Sequence, residues 1–167
     1  MPTIRSCAAP AGTYLDSYSR SGAYTDCYTV DVPRGVAQRE FVEAFYTTPV
    51  FKLERWLIAR ALSRPSTDDD ARRLAAGESD TFAAWSVEQQ SPDQVLLAAG
   101  RTRSWLMAAS AGPGNSATQL YFGSAVVPAR RASTDAPRMA WRFRALLGFH
   151  RMYSRVLLAA ARRKLAR

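Results

Sequence analysis

Apolar positions change period along this chain, and each change predicts an element. Between residues 23 and 32, Tyr24, Asp26, Tyr28, Val30 and Val32 alternate with Thr25, Cys27, Thr29 and Asp31, the two-residue period of a strand, which Pro33 and Gly35 stop. Phe41, Val42, Phe45 and Tyr46 then recur at helical spacing and predict a helix over 36–46. Thr48 suits an N-cap and Pro49 the first turn of a second helix, over 49–62. Its expected core face is Val50, Leu53, Trp56 or Leu57, and Ala61. Ser66 or Thr67 caps a third, short helix whose positive end Asp68, Asp69 and Asp70 complement and which Gly77 ends. From residue 80 the period shortens again. Stretches 80–90, 94–99, 101–110 and 117–127 read as strands, separated by Ser91-Pro92-Asp93, Ala99-Gly100 and Gly112-Pro113-Gly114-Asn115. Connections this short require an antiparallel meander. Gly123 is expected to mark a bend or bulge in the last strand.

The chain closes on a long amphipathic helix beyond Pro137. Leu146, Phe149, Tyr153, Val156, Leu157 and Ala160 share one face, with Arg144, Arg151, Arg155 and Arg162 opposite. Residues 1–22 lack clear periodicity and read as an irregular arm, ordered where Tyr14 and Tyr18 pack; residues 23–167 form a single domain. The expected class is α+β: a curved antiparallel sheet gripping the C-terminal helix, with two or three short helices after the first strand. That strand should pair along an edge of the meander.

This order of elements resembles the START/helix-grip (SRPBCC) superfamily, to which the birch-pollen-allergen-like proteins belong. The paired short helices in PRGVAQREFVEAFYTTPVFKLERWL and the C-terminal FRALLGFHRMYSRVLLAAARRKL carry the resemblance. The segments FYTTPVFKLER, GRTRSWLM and LYFGSAVVP also look like those of bacterial proteins without an assigned function. The resemblance implies an apolar cavity between sheet and long helix that holds a hydrophobic ligand, and it brings a cyclase- or hydrolase-type enzyme into consideration.

Charge sharpens the picture of the closing helix. Eleven of the 23 Lys and Arg, but one of the 14 acids, lie in residues 130–167, so the body is near neutral and the excess sits at the C-terminal end. An anionic partner at Arg144, Arg151, Arg155 and Arg162 is one expectation, a solvated arginine face the other. No apolar run is long enough to span a bilayer, and the first residues lack the basic start and apolar block of a secretory signal. Cys7 and Cys27 are too widely spaced for a metal or redox motif and read as two reduced thiols of a cytoplasmic protein.

Candidate chemistry is sparse. No phosphate loop, dinucleotide fingerprint, HExxH, CxxC or nucleophile elbow is present, and one histidine excludes a histidine-rich metal site. No cofactor, metal or specific nucleic acid is expected. The consecutive aspartates 68–70 point in different directions and suit a helix start better than a metal. His150 borders the apolar face, as a packed residue or as a cavity-facing acid or base. Arg142 falls on that face and needs a partner: a body acid such as Glu54 or Glu88, or the acidic group of an amphiphilic ligand. Arg101, Arg103, Trp105 and Met107 share one strand face. Trp85, Tyr121, Phe122 and Trp141 are core aromatics, with cavity lining as their second reading. The expected ligand-binding set is therefore Trp85, Arg103, Trp105, Tyr121, Arg142, Phe149, His150 and Tyr153.

Overall fold

The period-two stretches all enter one sheet. The computed structural model describes residues 3–128 and 136–166, with side chains of the closing helix from His150 onward. In chain order the elements are β1 (Arg5–Ser6), α1 (Tyr14–Arg20), β2 (Tyr24–Val32), α2 (Gln38–Tyr46), α3 (Pro49–Leu62), α4 (Asp68–Ala75), β3 (Thr81–Phe82), β4 (Trp85–Gln90), β5 (Gln94–Ala99), β6 (Thr102–Ala111), β7 (Ala117–Val126) and α5 (Ala136–Leu165). The seven strands lie in the order β1-β2-β7-β6-β5-β4-β3, every neighbour antiparallel. The expected α+β class holds: a curved sheet carries α5 on one face, and β2 closes the meander edge against β7. Local signals fixed the helix starts. Thr48 Oγ1 accepts from Phe51 N at the start of α3, and Thr67 with Asp70 forms a reciprocal capping box at α4.

Both faces of the sheet are covered. On one, Tyr28, Val30, Val95, Leu97, Leu106, Leu120 and Phe122 pack with α2, α4 and the C-terminal half of α5. On the other, Cys27, Leu96, Trp105, Met107 and Ala125 pack around Leu15 of α1. The N-terminal arm is thus not irregular throughout. Thr13 caps the seven-residue α1 and Leu15 is fully buried, in an element too short to display helical periodicity.

Two expected helix faces are corrected in part, and one expected bulge. In α3 Val50 packs against the core as expected, but the buried residues are Phe51 and Arg55, while Leu53, Trp56 and Leu57 are more than half exposed. Arg55 turns the helix: its guanidinium pairs with Asp68 at 2.7 Å and donates to Ser66 O at 2.5 Å, so its buried charge is compensated. In α5 the buried stripe is Ser154, Leu157, Leu158, Ala161 and Leu165; Val156 is exposed. The arginines opposite it lie back along β2, Arg151 donating to Tyr24 Oη at 3.3 Å, Arg155 standing over the Tyr28 ring and Arg162 donating to Asp31 O at 3.1 Å. Gly123 is not a bulge, since β7 pairs without interruption there. A Cβ on it would stand 2.3 Å from Leu15 Cδ2 and 2.8 Å from Asp26 O, so glycine admits α1. The irregularity falls in β4, between Val87 and Gln89. The three aspartates act at the start of α4: Asp68 binds Lys52 and Arg55, Asp69 binds Arg72, and Asp70 closes the cap.

Candidate functional site

Side chains at every second position look toward α5, so strand register decides which groups meet there. One register row is apolar: Tyr28, Phe122, Leu106 and Val95 lie side by side across β2, β7, β6 and β5. The next row on the same face is Asp26, Ser124, Ser104 and Leu97. Three neighbouring strands therefore place a polar group at one level.

Asp26 Oδ1 accepts from Ser124 N at 3.2 Å and from Ser124 Oγ at 2.5 Å. The Ser124 proton is committed to that carboxylate, so His150 Nε2, 2.6 Å from Ser124 Oγ, supplies the hydrogen of its own bond. Asp26 Oδ2 is buried without a hydrogen-bond partner among the described residues, and His150 Nε2 stands 3.5 Å from it. Nucleophilic serine chemistry needs the imidazole between serine and carboxylate. Here the serine lies between the other two, which suits polar recognition rather than acyl transfer. Ser154 Oγ, on the buried stripe of α5, is likewise without a partner.

Beside this row, Tyr46 Oη stands 3.4 Å from Ser104 Oγ, and burial pushes the Tyr46 phenol up from its ordinary range. Tyr153 Oη donates to Glu54 Oε2. Burial raises the Glu54 carboxyl above the ordinary glutamate range; burial and the adjacent Glu54 both raise Tyr153. Glu54 thus offers a carboxyl that gives up its proton less readily than an ordinary glutamate, on the helical side of the α5 interface.

The expected ligand-binding residues divide between the two sheet faces. Trp85, His150 and Tyr153 lie on the α5 side, Trp85 against Phe51 at 6.0 Å and Tyr153 against the main core. Trp105 and Tyr121 lie on the α1 side, with Trp105 fully buried and its Nε1 donating to Gln94 Oε1 at 2.9 Å. Arg103 points the same way, paired with Glu88 at 2.6 Å and donating to Tyr18 Oη at 2.9 Å. The expectation that these three share a wall with His150 is corrected: odd positions of β6 and β7 turn away from α5. Arg142 and Phe149, like Trp141 and Arg144, lie outside the residues described with side chains. Sequence reasoning missed Asp26, Ser124, Ser104 and Tyr46 as site residues. For the three strand residues the signal was a polar side chain in step with buried Tyr28, Phe122 and Leu106.

Two surface grooves lie elsewhere on the molecule, and none of the residues just described lines either. One, of about 500 Å³, lies between Ile4 and Arg151, Met152, Arg155, Val156 and Ala159 of α5; the other, of about 410 Å³, lies among Gln38, Arg39, Ala75, Ala76, Gln90, Ser91 and Pro92. Among the described residues no group of three or more His, Cys, Asp or Glu is placed to hold a metal ion, and no helix is long and apolar enough to cross a membrane.

No protein-family model matches the chain, and no curated protein matches it. Among solved structures, CalU16 from Micromonospora echinospora aligns over 98% of this chain and 92% of its own, with 11% identity and a TM-score of 0.33. A likeness at that score carries no argument about function.

Proposed function

We propose that the protein binds a hydrophobic or amphiphilic small molecule between the α5 face of the sheet and the closing helix. The observation that carries this reading is the row Asp26–Ser124–Ser104, which sets beside the apolar row a buried carboxylate oxygen with no hydrogen-bond partner among the described residues and His150 Nε2 at 3.5 Å. Such an oxygen is costly unless a donor reaches it. A ligand with an apolar body and a hydroxyl or amine head supplies that donor, with Trp85 and Tyr153 beside its body and His150 at its head. The proposed lining keeps Arg142 and Phe149 as well, whose side chains lie outside the described residues.

Native mass spectrometry of freshly purified protein tests the reading, together with displacement of the neutral dye Nile red by dodecanol, dodecylamine and dodecanoic acid. The expected result is dye binding displaced by the alcohol or amine, and weakened about tenfold or more in Asp26→Asn. Preferential displacement by the acid moves the polar head to a cation such as Arg142. Absence of both a co-purifying molecule and dye binding overturns the proposal.

A second reading rests on Glu54, whose buried carboxyl holds its proton above the ordinary range beside Tyr153. Such a group is a general acid for a cyclase- or hydrolase-type reaction in the same space. If a bound molecule is chemically altered on incubation and Glu54→Gln abolishes the change while still binding it, turnover is established. An anionic partner at the arginines of α5 is the adaptor alternative; vesicle binding that survives high salt or the loss of Arg151, Arg155 and Arg162 removes it.

A further inference from the structure

Cys7 and Cys27 are twenty positions apart in the chain and side by side in the fold. β1 pairs with β2 in the register Arg5↔Thr29 and Ser6↔Tyr28, which puts Cys7 opposite Cys27 one step further on. Cys7 N donates to Cys27 O at 3.0 Å, and the two Sγ atoms stand 3.3 Å apart. Opposed residues of an antiparallel pair have Cα separations within the span a disulfide bridges, so closing to about 2.05 Å needs side-chain rotation and little backbone movement.

The two thiols are unequal. Cys27 is 3% exposed, sealed among Leu15, Trp105 and Ala125, whereas Cys7 is reachable from solvent. The hydrogen bond between the two thiols, opposed by burial and aided by the charge of Arg5, lowers the Cys7 thiol, while the same bond and burial push the Cys27 thiol up. Few other ties hold the arm ahead of α1. Among the described residues they are the two-residue β1, the part-buried packing of Ile4 and Ala9, and an exposed ion pair between Arg5 and Asp31 at 2.8 Å, and contacts of this kind open readily.

We propose that Cys7 and Cys27 form a reversible disulfide with hydrogen peroxide as oxidant, clasping the N-terminal arm to the edge of the sheet. The Cys7 thiolate attacks the peroxide oxygen, the O–O bond breaks, and water leaves after protonation, giving a sulfenic acid at Cys7. Cys27 Sγ then attacks Cys7 Sγ. The S–O bond breaks, and the hydroxyl departs as a second water carrying the Cys27 proton. Two thiols lose two electrons and the peroxide gains them; a dithiol reverses the bond by exchange. The clasp fixes Ile4 as one wall of the groove beside Met152, Arg155 and Val156, so the oxidised protein presents that groove in set form. This proposal is independent of any ligand beneath α5.

Brief treatment of the full-length folded protein with a slight excess of hydrogen peroxide tests it. The expected product has lost two hydrogen atoms by intact mass, joins the Cys7 and Cys27 peptides after non-reducing digestion, and regains both thiols in dithiothreitol. Its melting temperature rises by about 5–10 °C, and trypsin cleavage after Arg5 slows severalfold. In Cys27→Ser, dimedone captures the sulfenic acid on Cys7; in Cys7→Ser, Cys27 stays unmodified. Two alkylatable thiols after treatment, oxygen adducts in place of the crosslink, or a bridge between molecules overturns the proposal on wild-type protein alone. A crosslink that dithiothreitol opens only on denaturation also overturns it, making the bond structural.

Discussion

Two neighbouring rows of the same sheet face, one register step apart, are built on opposite rules. Tyr28, Phe122, Leu106 and Val95 are all at most 5% exposed, and Phe122 packs against Phe45 with ring centroids 4.8 Å apart. Asp26, Ser124 and Ser104 occupy the same three strands; Ser124 bonds to Asp26, Ser104 faces Tyr46 instead, and capacity is left over at Asp26 Oδ2. The first row holds the fold by excluding water; the second spends stability on specific polarity. A sheet whose sole task was to pack α5 would continue the first row. On the proposed function, that difference is where a ligand's polar head would be read.

The comparison is broken most severely in the apolar row. Phe122→Ala removes a ring that touches β2, β6 and α2, and is expected to cost about 3–5 kcal/mol in urea unfolding. A loss below about 1 kcal/mol would mean that the row does not carry the core.

Gly123→Ala probes the strand step that joins the two rows. The added methyl can push Leu15 Cδ2 aside, but Asp26 O at 2.8 Å is backbone of the pairing strand and yields little. We expect a loss of about 1–3 kcal/mol, with a concurrent shift of the His150 ring resonances as Asp26 moves. An unchanged spectrum would show that the α1 side absorbs the methyl alone.

Ser124→Ala belongs to the polar row and should cost about 1 kcal/mol or less, because the Ser124 N–H still reaches Asp26. Its larger consequence is expected in ligand affinity. A stability loss equal to that of Phe122→Ala, with Nile red binding unchanged, would make this row structural and erase the contrast.

That contrast explains how much was legible beforehand. Element types and starts rest on local chemistry, such as Thr48-Pro49 and Thr67 with Asp70, and these were readable without tertiary structure. Which strand face looks at α5 was not. Because α1 covers the second face, both sides of the strands are apolar: Leu96 and Leu97 are both fully buried, as are Trp105 and Leu106. Alternation then carries no sign, and Arg103, Trp105 and Tyr121 were grouped with the residues beneath α5 on residue type alone. Asp26 and Ser124 stood in the right phase, but only pairing of β2 with β7 reveals that they touch. The same long-range register hid Cys7 against Cys27, and the partners of Arg55 hid the true inward face of α3.

The smallest effect is one of pH, at the helical side of the polar row. Burial, partly offset by the bond from Tyr153, holds the Glu54 carboxyl above the ordinary glutamate range. In acid, folded and unfolded chains both keep that proton and the group costs nothing. As pH rises through the ordinary range, the unfolded chain releases the proton first, so the folded state loses stability until its own raised value is passed. Above that point the penalty stays constant. Wild type is therefore expected to weaken relative to Glu54→Gln as urea midpoints are compared from about pH 4 to about pH 8. The two curves should converge at the acidic end, where the glutamine mimics the protonated acid. Parallel curves would mean that Glu54 ionises at its ordinary pH in the folded chain, and the acid beside Tyr153 would lose its claim to chemistry.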